Sequence, residues 1–473
     1  MAVPRGLAAV VAALVLSTCF SLTVADSSAG AVPAARSPGA LHRQLTSDLR
    51  RAGGASSALV VDETTGQTLF SVASRAPRLP ASVEKLYTTT AALLELGPSA
   101  TFTTNVLGVG ALAPGGVWKG TIYLRGGGDP TFGDAHFDAL SYHAGATVQQ
   151  LVAALKRTGV RRIDGSIVGD GSYFDSRRGT PATGYHPSLE VEGQLDALAY
   201  DAGFQSSAYA SLQPNPTLWA AQAFATVLKS AGVRLPSRPR ISTGVTPGSA
   251  QLLASVSSPP LSTILELTNS PSDNFFAETL LKDLGARLGH DGTTATGAAV
   301  VRATIAERLG LHPTFNDGSG LSRADRTTAA DIVTLLEHMQ SDPTFTNSLA
   351  IAGVRGTMQH EMVATRAARD CRGKTGTLSN VANLVGYCTA ANGNRLVFAF
   401  LMNSLTSSDF GHAQEDLMGE ALAAYDAGPG HFAPTRTTPT ATTTTPTRTT
   451  PTHTTPTTTV TTPPVGSGGT SPP

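Results

Sequence analysis

The chain is poor in cysteine, with three in 473 residues. That excludes a disulfide-dense miniprotein and any multi-cysteine zinc module. It is also poor in charge. Asp, Glu, Lys and Arg make up 14%, and 34 basic residues balance 34 acidic ones. A net charge of zero argues against general nucleic-acid binding. Beyond residues 1–25 no apolar run is long enough to span a bilayer, and no repeat of fixed period occurs. His360-Glu361 is followed by Met362-Val363-Ala364, so the second histidine of a zinc-protease helix is missing. Gly126-Gly127-Gly128 has neither a P-loop lysine nor dinucleotide spacing and reads as a tight turn. What remains is a chain 41% hydrophobic, with room for roughly two to four domains, for which no metal or organic cofactor is expected.

Both ends differ from the middle. Residues 1–25 read as an export signal: Arg5 supplies the positive start, residues 6–16 are small and apolar, and Thr23-Val24-Ala25 offers a cleavage site. The competing reading is an uncleaved anchor; polar Ser17, Thr18, Ser21 and Thr23 favour cleavage. Leu16-Ser17-Thr18-Cys19 departs from a lipoprotein box at Thr18. From Pro434 onward Thr and Pro dominate, and such a segment buries too little surface to offset its ordering entropy. It reads as a semi-stiff stalk whose threonines could accept O-glycans, or as a bare disordered tail.

Between the ends, residues 57–72 pattern as a hairpin, and a helix is expected from Ser82 to the Gly97-Pro98 stop. Short strands and glycine turns dominate 102–241, with helical runs at 148–156 and 218–231. Helices are expected at 261–284, 297–309, 329–339 and 413–425. Strands are expected at 372–377, 383–389 and 395–403.

Three short patterns carry chemistry. In Ser82-Val83-Glu84-Lys85, positions three apart share a helix face, so Lys85 can reach the Ser82 hydroxyl. A serine needs such a base to be a nucleophile, and a lysine serves if burial and neighbouring cations lower its pKa. Ser272-Asp273-Asn274 offers a hydroxyl for proton relay and an amide with both donor and acceptor. Lys374-Thr375-Gly376-Thr377 lies on an expected strand whose small-residue edge lets a substrate backbone lie alongside. Together, in this order, they are the S-x-x-K, S-D-N and K-T-G set of class A β-lactamases and penicillin-binding proteins.

The 190 positions between Ser82 and Ser272 exceed what a compact β-lactamase needs. The chain resembles the D-alanyl-D-alanine carboxypeptidase/endopeptidases, low-molecular-weight penicillin-binding proteins of class C type, which carry a large insertion there. Further matches are Leu124-Arg125-Gly126-Gly127-Gly128-Asp129-Pro130-Thr131, Asp317-Gly318-Ser319-Gly320-Leu321-Ser322-Arg323 and Ala352-Gly353-Val354-Arg355-Gly356-Thr357. The likeness covers about residues 41–425. Two departures are Ser270, where the family usually has Lys, and Gly373, where Ala is frequent.

The resemblance implies an α/β fold: a penicillin-binding, β-lactamase-like core with an antiparallel sheet and helices, built from 38–101 and 256–428. A β-rich insertion at 102–255, expected as two small subdomains, interrupts it, and the 434–473 tail follows. It implies that Ser82 attacks the D-Ala–D-Ala carbonyl, Lys85 takes its proton, and Ser272 with Lys374 carries a proton to the leaving D-alanine. Asn274 would hold the substrate amide. The backbone N–H groups of Ser82 and Thr377 would form the oxyanion hole. Thr375 and Thr377, flanking Gly376, would bind the terminal carboxylate. Arg323 is either a substrate-side arginine or part of a loop salt bridge. The implied partners are peptidoglycan peptides and β-lactams, with cross-link endopeptidase action as a further capacity, in an exported protein without a transmembrane segment in its mature chain. Oligomeric state is left open. A β-lactamase is the first alternative, against which stands the lack of a Glu-x-x-x-Asn stretch after Ser82. A non-catalytic wall-binding protein is the second.

Two cysteines remain in the mature chain. If strands 372–377 and 383–389 form a hairpin, the midpoint of Cys371 and Cys388 falls between Ser379 and Asn380, both good turn residues. That register sets the cysteines directly opposite, within disulfide reach. The alternative is two buried free thiols.

Overall fold

The computed structural model describes residues 37–427. The expected export signal and Thr/Pro tail lie outside the described residues. The first helix, α1 (Pro38–Ala52), was not among the expected elements, yet its signals are local. Ser37 accepts the Ala40 N–H on its side-chain oxygen, Pro38 opens the first turn, and Leu41, Leu45 and Leu49 form one buried stripe.

The core sheet has β1 (Ala55–Asp62) and β2 (Gln67–Val72) from before the insertion. From after it come β9 (Ala350–Ile351), β10 (Cys371–Leu378), β11 (Val381–Thr389) and β12 (Arg395–Asn403). The order is β2-β1-β12-β11-β10-β9, and every neighbouring pair is antiparallel, as the resemblance implied. β12 reads as a continuous apolar run, and β11 as one interrupted by Asn383, because helices cover both faces. Phe398, Phe400 and Met402 share one apolar cluster with α1 and with α11 (Ser408–Ala423). Val397, Ala399 and Leu401 share the opposite one with α2 (Lys85–Leu96), α7 (Asn274–Leu288) and α9 (Ala329–Met339). Each fully buried Phe contributes about 1.5–3 kcal/mol.

Two of the expected helices depart from the expectation at site motifs. The apolar pattern over 261–284 divides into α6 (Leu261–Asn269) and α7, because Pro271 cannot continue a helix and Asp273 caps the next one, accepting the Phe276 N–H at 2.9 Å. Ser272, in the gap, takes φ 68°. The helix expected from Ser82 begins as a 3-10 turn over Ala81–Glu84, entered through Ala81 at φ 47°, and becomes α-helical at Lys85. Non-glycine residues in this region are strained and are held by surrounding structure.

The region 102–255 holds a second sheet of β3 (Thr103–Ala113), β4 (Val117–Arg125), β5 (Arg162–Asp164), β6 (Ile167–Asp170), β7 (Ile241–Thr243) and β8 (Gln251–Ser257). Its order is β7-β6-β4-β3-β8, with β5 beside β4. Three of its pairs are parallel, β4–β5, β4–β6 and β6–β7, so the sheet is mixed. Parallel neighbours need crossover helices. α3 (Ala135–Ser141), α4 (Val148–Arg157) and α5 (Pro216–Ser230) lie in these connections, and the last two pack on the sheet. The remaining helices are α8 (Thr294–Leu309) and α10 (Pro343–Ser348). Among the described residues no helix is long and apolar enough to cross a membrane.

Candidate active site

The turn bearing Ser82 is held from three sides. Asn383 on β11 donates from Nδ2 to the Leu79 and Pro80 carbonyls at 2.9 Å each, while Asn403 on β12 accepts the Leu79 N–H at 2.6 Å. Gly376 on β10 packs against the turn so closely that a Cβ would stand 2.6 Å from Pro80 O. Gly320, at φ 81°, lies under it, where a Cβ would stand 1.9 Å from Ala81 O. Only glycine admits both the backbone angle and that approach.

Lys85 is fully buried, and its Nζ has three partners: Ser82 Oγ at 2.9 Å, Asn274 Oδ1 at 2.6 Å and Ser319 O at 2.9 Å. Two of these are carbonyl oxygens, which only accept; the third is a hydroxyl, which can donate. A neutral amine satisfies all three, giving its two N–H bonds to the carbonyls and its lone pair to the Ser82 proton. Burial is the largest influence on Lys85 and lowers its pKa below the ordinary 10.5; Glu192 is the leading charge opposing the shift. Behind Lys85 lies a buried acid layer. Glu278 takes the N–H groups of Gly318 and Ser319 and the Ser319 hydroxyl, and burial followed by Asp317 pushes it up to about 8.

Lys374, also fully buried, donates to Ser272 Oγ at 2.7 Å and to the Thr375 carbonyl at 2.9 Å. Burial first, then the charge of Lys85, push it well below the usual lysine range. Thr375 Oγ1 is 2.8 Å from Thr357 Oγ1, which brings the end of the 352–357 stretch to β10 beside Lys374. β9 pairs only with Arg372 and Gly373, so the Lys374–Thr377 edge of β10 is not covered by it.

Ser82, Lys85 and Asn274 are thus linked directly, as are Ser272 and Lys374. Arg323 donates to Asn380 Oδ1 at 3.2 Å and to Ser379 O and Oγ. Its hydrogen-bond partners are an amide, a carbonyl and a hydroxyl of the β10–β11 turn, not a carboxylate. That turn is Ser379-Asn380, flanked by the Leu378–Val381 pair, and Cys371 faces Cys388 across the hairpin. The two form a disulfide with Cα atoms 4.1 Å apart, so the free-thiol alternative falls.

Two contributors carried no sequence signal. Glu192, in the inserted region at φ 59°, accepts the Asn274 N–H at 2.7 Å, and the Glu190 carbonyl accepts from Asn274 Nδ2 at 2.8 Å. His412 on α11 reaches Thr377 Oγ1 at 3.1 Å. Both lie tens of positions from the residues they touch, 82 and 35, and no local pattern encodes such approaches.

Residues 41–188 and 188–425 match the profile of the D-Ala-D-Ala carboxypeptidase 3 (S13) family. A D-alanyl-D-alanine carboxypeptidase of Actinomadura sp. (strain R39) is 29% identical, over 81% of this chain and 83% of its own. A carboxypeptidase of Mycobacterium tuberculosis is 30% identical, over 73% and 75%. The crystal structure of penicillin binding protein 4 from Haemophilus influenzae superposes with a TM-score of 0.67 at 20% identity, over 80% of this chain and 98% of that one. A second structure of that protein holds a β-lactam, with a TM-score of 0.63 at 19% identity over the same shares. With nearly the whole described chain matched, the protein belongs to the D-Ala-D-Ala carboxypeptidase 3 (S13) family.

Proposed function

We propose that the protein cleaves the terminal D-Ala–D-Ala bond of peptidoglycan stem peptides through an acyl-enzyme on Ser82. Its family makes it a D-Ala-D-Ala carboxypeptidase, a serine-type hydrolase. The observation that carries the assignment of roles is the pairing of two hydroxyls with two buried lysines, Ser82 with Lys85 at 2.9 Å and Ser272 with Lys374 at 2.7 Å.

Ser82 Oγ attacks the carbonyl and its proton passes to the Lys85 lone pair. The backbone N–H groups of Ser82 and Thr377 receive the developing oxyanion. Lys374 and Ser272 pass a proton to the departing D-alanine nitrogen, and water then releases the acyl group. Asn274 keeps one N–H free for the substrate amide, its Oδ1 and other N–H being engaged with Lys85 and Glu190. The substrate backbone adds along the edge of β10, its carboxylate toward Thr375 and Thr377. β-Lactams enter by the same route and remain on Ser82. The same groups act on cross-links where the chain beyond the scissile bond fits. Residues 38–101 and 256–428 act as the catalytic core, and 102–255 as an inserted module that brings Glu190 and Glu192 to Asn274. The protein does this work outside the cytoplasm, a reading supported by the composition of residues 1–25 and by the disulfide.

Ser82→Ala tests this reading. Mass spectrometry should show the penicilloyl adduct on the wild type and none on the variant, and D-alanine release should vanish with it, since one oxygen forms both acyl bonds. Labelling of the variant at the wild-type rate removes Ser82 from the role.

A further inference from the structure

β10 ends on a contact that the serine–lysine chemistry does not use. Nε2 of His412 lies 3.1 Å from Thr377 Oγ1, and its Nδ1 lies 2.7 Å from Glu415 Oε2, nearly one turn along α11. The Glu415 side chain is wholly buried, while that of His412 keeps 30% exposure. Gly411 makes the approach possible. A Cβ there would stand 2.6 Å from Ala382 Cβ and from Leu405 Cδ1, so α11 lies directly on β11. Ala382 is the cross-strand partner of Thr377, which delivers the next residue, His412, to the Thr377 hydroxyl.

The hydrogen-bond directions follow from valence. The Glu415 carboxylate only accepts, so Nδ1 carries a proton. In the neutral ring Nε2 is then an acceptor, and Thr377 gives its single hydroxyl proton to the ring. In the imidazolium Nε2 donates, Thr377 accepts, and the Thr377 proton is free to turn outward. Thr377 is exposed, whereas the Thr375 hydroxyl is engaged with Thr357. The state of His412 therefore decides whether Thr377 offers a donor to a ligand.

We infer that His412, doubly protonated and held by Glu415, is the positioning residue that makes the Thr377 hydroxyl a donor to the terminal carboxylate of the substrate. Recognition of that carboxylate weakens when the ring loses its proton. The inference rests on the proposed placement of the D-Ala-D-Ala carboxylate against Thr375 and Thr377.

The charges around the ring favour the protonated form. On α11 these are Glu415 and Asp409, with Asp416, pushed up to about 6, beside them; from the loop after Gly356–Met358 comes Glu361, near Lys374 on β10 and pushed up to about 8 by burial, so that it adds charge only toward the alkaline end. The Glu415 hydrogen bond leads, and with these carboxylates it outweighs burial, holding His412 above its ordinary value.

The test compares kcat/KM for a peptide ending in D-Ala-D-Ala with that for the same peptide ending in D-Ala-D-alaninamide, from about pH 5 to 9. Lys85 titration affects both substrates and cancels in the ratio. The wild-type preference for the carboxylate should fall about tenfold or more as pH rises, mostly through KM, because a hydrogen bond to a charged acceptor is lost. His412→Ala should make the ratio independent of pH, because with no ring nitrogen to accept it the Thr377 proton stays free at every pH. Glu415→Gln should move the midpoint to lower pH, since the amide still accepts from Nδ1 but brings no charge. A wild-type ratio that is flat with pH overturns the inference without depending on the folding of any variant. So do variants that reproduce a sloping wild-type profile. If the wild type hydrolyses neither peptide, the Ser82 reading falls as well; if it hydrolyses both with a flat ratio, only the role of His412 falls.

Discussion

Gly376→Ala adds one methyl group between β10 and the turn that bears Ser82. Its Cβ would stand 2.6 Å from Pro80 O, 3.1 Å from Val83 Cγ2 and 3.2 Å from Val83 N. Reaching ordinary contact requires roughly 0.8 Å of separation at the carbonyl. Pro80 O cannot retreat freely. It accepts from Asn383 Nδ2 at 2.9 Å and from Val83 N at 3.2 Å, and Asn383 is also the cross-strand partner of Gly376. The strand must therefore shift, and it carries Lys374 and Thr377 away from Ser82. Overpacking of this kind costs about 1–3 kcal/mol of stability. A displacement near 1 Å at a reacting centre costs about 100-fold in rate. Fluorescent-penicillin acylation, followed in time on protein shown by thermal melting to be folded, should slow by about that factor. Acylation at the wild-type rate would refute the reasoning, because it would mean that the spacing of β10 from the turn does not set the chemistry.

Lys85→Arg should acylate orders of magnitude more slowly than wild type, since a guanidinium does not give up its proton; near-normal labelling kinetics would count against Lys85 as the base. In the wild type the acylation rate should rise with pH as Lys85 deprotonates, with a midpoint below the usual lysine 10.5. Glu192→Gln keeps an acceptor for the Asn274 N–H but removes a charge that favours both ammonium groups. The pH–acylation profile should move to lower pH; an unchanged or alkaline-shifted profile would contradict the role given to Glu192. Replacing both Cys371 and Cys388 by serine opens a link across 17 positions and should lower stability by about 2–4 kcal/mol in urea unfolding, an equal midpoint being the contrary result.

The sequence by itself determined whatever depends on local backbone geometry. Lys85 lies three residues from Ser82 and so reaches it from one helical turn, whether the first residues are α or 3-10. Cys371 meets Cys388 because strand spacing is regular and the two-residue Ser379-Asn380 turn sets the register. The strand 395–403 and the helix 329–339 were legible to the residue, their apolar patterns being long and cleanly bounded. The signals of α1 are local too, in Ser37-Pro38 and its leucine spacing. The break at Pro271 was written in the sequence, but the leucine pattern continuing through it suggested one helix.

The tertiary structure alone decided which distant groups complete the site. Ser319 offers Lys85 a carbonyl from 234 positions away, and Asn383 holds the Ser82 turn from more than 300. Glu192 arrives from the insertion, and His412 from the last helix. Although Ser319 lies in the quoted Asp317–Arg323 stretch, no local pattern encodes which group each of these meets, because the 3.6-residue and 2-residue periods relate only near neighbours along the chain. Approaches between distant segments depend instead on close packing, through contacts such as Gly376 against Pro80 and Gly411 against Ala382.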